Sequence, residues 1–424
     1  MTAARSDYEL LVTAADVVGY LAGTGLLGRL SAASDGADVR VDEVTAGNMN
    51  RVFLARGPLG SLAVKQAPPW VQVVGPEWPV DPARIASEAR TYERLAARVP
   101  ESIPTIVAFD ESRYVLVMED LSDLDVLRDA LVRQVAADDG AELDFVALGA
   151  AVGRFVGELA ASTSVAALGA SAHAELVETS ANPELCRMTL EVVLDEPYRE
   201  HEHNHWHPAL EGRVRSLYAD AAVREAVARI RHDFEHRAEA LLHGDLHSGS
   251  VMVGRRDGEQ VVKVFDPEFS FVGPIGLDLG LFWANLELAA IAADAVGDAA
   301  LAEARRSAVP ASWAAFAEAW GDASSLAGIE SDAWRFAGVE GMRRAVGFSH
   351  AADIESLPGA AIPDASMRLF DAARHHILTG TAVPGATARS GPVAQTAPGA
   401  ASGRPSPQAT DASTPSAAPR RSAP

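Results

Sequence analysis

The run His243-Gly244-Asp245-Leu246-His247-Ser248-Gly249-Ser250 concentrates chemically capable side chains, and a second acidic pair, in Asp266-Pro267-Glu268, follows it across two strand-like stretches. Acidic positions at the two ends of a hairpin are what phosphoryl transfer needs. One carboxylate orients an attacking hydroxyl and accepts its proton, and another holds Mg²⁺ on nucleotide phosphates. On that reading Asp245 is the base, and Asp266 and Glu268 are the metal ligands. The bland alternative is a polar loop with stray carboxylates, and the hairpin context speaks against it. Upstream, Gly47, Asn48 and Asn50 sit in a turn between two strand-like runs, where backbone N–H groups can lie over phosphates. Taken alone, a Gly-Asn turn is an ordinary hairpin. Lys65 on the next strand can reach the same phosphates, and Glu88 on the following helix is placed to hold it, unless it is simply an unpaired helix-face carboxylate. The segment Glu119, Asp120 and Leu121 closes the last strand of this region and offers main-chain groups to an adenine edge.

Arginine supplies nearly all the positive charge, and the only lysines are Lys65 and Lys263. A compact ammonium and a planar guanidinium are not interchangeable at a phosphate, so Lys65 stands out. Lys263 alternates with valines and reads as an exposed strand residue.

The elements that must position these groups fall into three parts. Residues 1–120 read as a small β-rich lobe: a helix over 8–30, strands at 39–44, 51–55 and 61–66, a helix over 82–98 capped by Asp81, and strands at 105–110 and 114–119. Residues 121–384 read as mostly helical around the hairpin strands 250–254 and 260–265, with a turn at Arg256-Asp257-Gly258. Residues 385–424 are rich in Ala, Pro and Ser, lack large apolar side chains and are expected to be disordered. The fold class is α+β.

Composition narrows the function. The chain of 424 residues is 48% hydrophobic with a formal charge of -22, which suits a globular protein and disfavours nucleic acid or anionic lipid as a partner. A single cysteine, Cys186, forms no internal disulfide, and neither a signal peptide nor a membrane span is evident, so the cytoplasm is the expected compartment. The loop from Glu200 to Pro208 places histidines at 201, 203, 205 and 207, a spacing that invites a metal reading; a solvated loop is preferred because no distant cysteine or acid motif pairs with it.

The order of parts resembles the protein-kinase-like, two-lobed fold of small-molecule kinases, and within it the 5-methylthioribose kinases. The resemblance rests on Gly47-Asn48-Met49-Asn50, on Val64-Lys65-Gln66-Ala67 followed by residues 73–79, on Met118-Glu119-Asp120-Leu121, on the His-Gly-Asp run, and on Asp266-Pro267-Glu268-Phe269 with Gly273-Pro274-Ile275-Gly276-Leu277-Asp278. His-Gly-Asp is shared with aminoglycoside and choline kinases, whereas the last run is more particular. The resemblance implies ATP-dependent phosphorylation of the anomeric hydroxyl of 5-methylthioribose, a step of methionine salvage, with ATP and Mg²⁺ bound and a homodimer favoured. It implies nucleotide contacts at Asn48, Lys65 and Glu119 to Leu121, metal contacts at Asp266 and Glu268, a catalytic Asp245 facing the sugar, and a twin arginine at Arg343-Arg344. Neighbouring helix positions point about 100° apart, so one arginine can reach the sugar and the other the γ-phosphate. Ser250 stands where many related kinases carry a metal-binding Asn, with Glu268 as the substitute ligand. The alternatives are a kinase for an aminoglycoside, choline or another amino-alcohol, and a nucleotide-binding pseudokinase, against which the joint presence of Lys65, Asp245, Asp266 and Glu268 argues.

Overall fold

The computed structural model describes residues 9–45, 49–136 and 142–384. The turn residues Gly47 and Asn48 and the tail from 385 lie outside them. The N-terminal lobe opens with α1 (Ala14–Gly23), started by a capping box between Thr13 and Asp16. It is shorter than the helix over 8–30 that the apolar spacing predicts, because the box starts the helix at residue 14 and the chain turns at Thr24-Gly25 before a 3-10 turn at Leu27–Arg29.

Strands β1 (Arg40–Val44), β2 (Arg51–Gly57) and β3 (Gly60–Gln66) follow, then a small hairpin, β4 (Trp70–Val71) with β5 (Gly75–Pro79), that the sequence reading omitted. Helix α2 (Arg84–Ala96) leads to β6 (Ile106–Asp110) and β7 (Val115–Glu119). Five strands form an antiparallel sheet in the order β1-β2-β3-β7-β6. Strand parity decides where β3 aims its side chains. Leu62 and Val64 join Val17, Tyr20 and Leu21 of α1 on one face, while Ala63 and Ala67 join Ile85, Ala89 and Tyr92 of α2 on the other. Lys65 shares the parity of Ala63, so it faces α2.

The C-terminal lobe begins with β8 (Asp125–Val126) and α3 (Leu127–Ala136), then α4 (Phe145–Thr163), α5 (Val165–Leu168), α6 (Ala170–Thr179), α7 (Pro183–Val192), α8 (Glu211–Ala219) and α9 (Ala221–His236). The short strand β9 (Ala240–Leu242) precedes the His-Gly-Asp loop, and the hairpin β10 (Val251–Arg256) and β11 (Glu259–Val264) follows it. Strand β12 (Phe271–Gly273) pairs antiparallel with β9, so the segments before His243 and after Glu268 are tied together. Helices α10 (Gly276–Ala295), α11 (Ala299–Trp320), α12 (Leu326–Val346), α13 (Ala352–Glu355) and α14 (Ile362–Thr379) complete the lobe.

Helices α4 and α10 are long and apolar enough to cross a membrane. Their apolar surfaces are taken up inside the protein: α10 is buried along nearly its whole length, and α4 meets α11 so closely that a Cβ on Gly153 would stand 2.0 Å from the Ser312 carbonyl oxygen.

Candidate active site

Lys65 lies on β3 opposite Val52 and Leu116, and its ammonium meets Glu88 Oε2 at 2.7 Å and also pairs with Asp266. Burial alone would pull the Lys65 pKa down; Asp266, Glu88 and Glu268 together push it well above the ordinary value, so it stays charged. Glu88 is 1% exposed at its side chain. Burial, opposed by Lys65 and reinforced by Asp266, raises its carboxyl to about 7. Asp266 takes a left-handed backbone conformation, φ 66°, and its N–H donates to the Tyr92 hydroxyl at 2.8 Å. An Asp tolerates that region better than most residues, and the buried Tyr92 helps hold it there.

Glu268 is buried, and desolvation followed by the charge of Asp266 raises it to about 8. It accepts from Asn50 Nδ2 at 2.8 Å, which ties the turn after β1 to the C-terminal lobe. Arg84 Nη2 donates to the Asn50 side-chain oxygen at 3.0 Å and to the Met49 carbonyl at 2.8 Å, and Asn182 donates to the Glu268 carbonyl at 2.8 Å. Carboxylate oxygens of Glu88, Asp266 and Glu268 lie within 4.8 Å of one another. Three carboxylates against Lys65 and the nearby Arg84 leave this cluster short of positive charge, and an all-oxygen donor set fits Mg²⁺.

Asp245 stands on a loop that its neighbours fasten from every side. The Asp278 carboxylate accepts the backbone N–H groups of His243 at 2.7 Å and Gly244 at 2.9 Å, and Ser250 Oγ donates to the Asp245 carbonyl at 2.8 Å. Gly244, at φ 85°, is needed here: a Cβ would stand 2.2 Å from the Phe269 carbonyl oxygen. His247 Nδ1 accepts the Gly249 N–H at 2.8 Å, which leaves Nε2 to carry the proton and face Asp245 Oδ2 at 3.4 Å. Desolvation pushes the Asp245 carboxyl up, but His247 and Arg343 pull it further down, well below the ordinary carboxylate range.

The twin arginine shares one partner, Glu340, a residue the sequence reading did not single out. Glu340 has no exposed side-chain surface and accepts from Arg343 Nε at 2.6 Å and from Arg344 Nε at 2.8 Å. Burial raises its carboxyl and the two guanidinium groups more than reverse that, down to about 2. Arg343 lines a cavity of about 30 Å³ together with Asp245, Gly244 and Glu340; most of the remaining wall is apolar, with Leu194, Phe234, Leu281 and Phe336. Arg344 instead turns to Ser349 Oγ at 3.1 Å and to the His350 carbonyl, so its guanidinium is engaged with that segment, a departure from the expectation that the second arginine reaches the γ-phosphate.

Several expectations change. Lys263 is not exposed: it is 8% accessible, and its ammonium donates to the Ile103 carbonyl at 2.9 Å, because the turn carrying Ile103 covers that face of β11. The side chains of Glu119 and Asp120 are held in ion pairs, Glu119 with Arg256 at 2.8 Å and Asp120 with Arg56 at 3.1 Å, so only main chain remains for a nucleotide there. The Leu121 side chain is buried and its carbonyl accepts the Leu124 N–H. The Pro267 carbonyl accepts the Ser270 N–H at 3.2 Å, which turns the chain back toward β12. The histidine loop is not merely solvated, since His201, His203 and His207 are half-buried. Arg84, Asn182 and Glu340 escaped the sequence reading, and Asp278 entered it only as the end of the Gly273 to Asp278 run, with no role assigned. Only Glu340 left a local signal, as an acid three and four residues before the arginines.

A family model described as the phosphotransferase enzyme family matches residues 31–318. The methylthioribose kinase of Geobacillus kaustophilus (strain HTA426) is 32% identical over 348 residues, covering 78% of this chain and 84% of that protein. The methylthioribose kinase of Geobacillus thermodenitrificans (strain NG80-2) is 31% identical over 353 residues, covering 79% and 85%. Among solved structures, a microcompartment-associated aminopropanol kinase superposes over 85% of this chain and 99% of that one, at 13% identity and a TM-score of 0.48. The chain belongs to the phosphotransferase enzyme family and is a small-molecule kinase related to the methylthioribose kinases.

Proposed function

We propose that this kinase transfers the γ-phosphoryl group of ATP to the anomeric hydroxyl of 5-methylthioribose, giving 5-methylthioribose 1-phosphate for methionine salvage. The observation that carries the substrate class is the lining of the site beside Asp245, of which the cavity of about 30 Å³, smaller than a sugar, is a part. Its charged wall is Glu340 already neutralised by Arg343 and Arg344, and the rest is largely apolar. A polyol can accept hydrogen bonds from Arg343, and an apolar wall suits a small apolar substituent on the sugar. A cationic aminoglycoside or amino-alcohol would meet Arg343 and, among the described residues lining the cavity, no carboxylate except Asp245 and the arginine-paired Glu340, a juxtaposition that costs several kcal/mol, on the order of magnitude seen for like charges in closed sites.

Asp245 orients the hydroxyl and takes its proton. Its low pKa suits that role in a loose transition state, where bonding to the attacking oxygen is slight and the proton moves late. Lys65, held by Glu88, neutralises phosphate charge; Arg343 positions the sugar, and Arg344 secures Arg343 through their shared Glu340. Asp266 and Glu268 are the ligands that would hold Mg²⁺, with Glu88 at the edge of the set, and Mg²⁺ there would supply charge neutralisation at the β- and γ-phosphates. Asn50 and, as the resemblance implies, Gly47 and Asn48 are assigned to the nucleotide, and the main chain from Glu119 to Leu121 is assigned to the base. We place the enzyme in the cytoplasm, where Cys186, half-buried and pushed up to about 12 by burial, stays a thiol, and we assign it the homodimer its resemblance implies.

Steady-state ATP consumption with methylthioribose, ribose, choline and an aminoglycoside tests this reading. Methylthioribose should exceed the others in kcat/KM by about 10²-fold or more, the scale of a few kcal/mol in the transition state. Turnover confined to choline or the aminoglycoside would refute it.

A further inference from the structure

We propose that Glu196, His201 and His203 form a second cation site, selective for Zn²⁺-class ions and distinct from the carboxylate cluster in the cleft. Glu196 begins a 3-10 turn, Glu196–Tyr198, and its side chain is 8% exposed, unusual for a carboxylate on a connecting segment. One oxygen of it, Oε2, faces two imidazoles: His203 Nδ1 at 3.0 Å and His201 Nδ1 at 3.6 Å. The three ligand atoms lie within 4.8 Å of one another, and the two rings meet edge to face at 4.5 Å between centroids.

Two features of this arrangement point to a cation. The first is the spacing. Donor atoms about 2.0–2.1 Å from a tetrahedral centre stand about 3.4 Å apart, and the two nitrogen–oxygen separations bracket that edge. The second is protonation. The His203 backbone N–H donates to His201 Nδ1 at 3.3 Å, so that nitrogen carries a lone pair and offers no proton to the carboxylate oxygen 3.6 Å away. Two acceptors facing each other in a half-buried position are complementary to a positive charge between them. A bound ion would take the lone pair that the long His203 N–H contact now holds.

The loop is built to keep this spacing without the ion. Asn204 Nδ2 donates to the Glu196 carbonyl at 2.7 Å and to the Arg199 carbonyl at 2.9 Å, which closes the loop on itself. The His205 N–H donates to the Val346 carbonyl, its ring stacks on His350 at 3.8 Å, and the His203 ring packs against Phe348. The ligands are thus pre-positioned on the end of α12, beside the Ser349 and His350 groups that hold Arg344. A bound ion would fasten this loop to that segment.

Donor chemistry separates the two sites. Imidazole nitrogens with one carboxylate favour Zn²⁺ and its first-row neighbours, whereas the oxygen-only cluster of Glu88, Asp266 and Glu268 favours Mg²⁺. His203, about a third exposed, leaves the fourth position to water.

The test is titration of the full-length, metal-stripped protein with Co²⁺ in excess Mg²⁺, which fills the oxygen cluster, while visible d–d absorption is recorded. One equivalent of Co²⁺ should give the intense bands of a low-coordinate site, Zn²⁺ should abolish them, and His203→Ala and His201→Ala should each weaken binding by about 10-fold or more. Absent bands, or bands unchanged in both variants, would overturn the proposal. If either variant unfolds, imidazole ¹H–¹⁵N spectra of the wild-type protein decide: Zn²⁺ must shift the His201 and His203 resonances, and shifts confined to other histidines refute the site.

Discussion

Lys65 and Arg84 face three carboxylates at the nucleotide end of the cleft, whereas at the sugar end two arginines face two. The consequence is visible in the acids. Glu88 and Glu268, buried in an excess of negative charge, are raised to about 7 and about 8. Asp245 and Glu340 are also desolvated, yet both are drawn below the ordinary range, Glu340 to about 2, because each has cationic or N–H partners directed at it. Burial is common to the four, so the sign of the shift is set by the local count of charge. The nucleotide end is a charge set that a divalent cation completes. The sugar end is complete without substrate, which suits a neutral ligand.

The largest effect should come from removing the charge that faces the hydroxyl. Asp245→Asn should lower kcat by about 10²-fold or more with the KM for ATP nearly unchanged, since the interaction lost belongs to the transferring oxygen. Near wild-type kcat would remove Asp245 from its role.

Breaking the balanced end should next cost stability. Glu340→Gln leaves two buried guanidinium groups sharing a neutral partner, and losing one member of a buried pair costs about 3 kcal/mol or more, measurable by urea unfolding. The folded pKa of Glu340 lies below its unfolded value, so its contribution is fully present above about pH 4.5 and is lost as pH falls through about 2. The gap between wild type and variant should therefore stay constant from pH 8 to about 5 and narrow in stronger acid. A gap that instead widens on acidification would show that the pair is not the source.

How much of this was legible beforehand depended on whether the cause was local. The order of elements offered Glu88, on the next helix and 23 residues on, to Lys65, and His-Gly-Asp with Asp-Pro-Glu marked the cleft, because each of those motifs is itself a run of a few residues. Arg84 and Asn182, and the task of Asp278 within its motif, concern groups 34 to 86 residues distant, so no spacing rule could find them. The strands β9 and β12, three residues each, are too short for any periodicity, and they form because they pair with each other. Lys263 misled for the same reason: alternation with valines is correct for β11, but what covers each face is decided elsewhere in the chain. The histidine spacing was visible, while the carboxylate that gives it meaning, Glu196, lies before the run and was not connected to it.

The two arginines sharpen the comparison within the sugar end. Arg343 lines the cavity and Arg344 does not. Arg343→Ala should raise the KM for methylthioribose by about 10-fold or more, the scale of a hydrogen bond from a charged donor. Arg344→Ala should raise it by less than about 5-fold, acting only through Glu340. Equal effects would mean that both guanidinium groups reach the sugar.

The smallest effect belongs to the end that is short of positive charge. Glu88→Gln removes one of three crowded carboxylates and keeps the shape and a hydrogen-bond acceptor for Lys65, whose ammonium retains Asp266. At neutral pH the Glu88 carboxyl sits near its own raised pKa of about 7, so the neutral amide gives up little of what the ionised form supplied to folding. The expected loss is below about 1 kcal/mol by urea unfolding, well under that of Glu340→Gln despite equal burial and identical chemistry. If the two substitutions cost the same, burial alone governs these carboxylates, and the contrast between the two ends of the cleft fails.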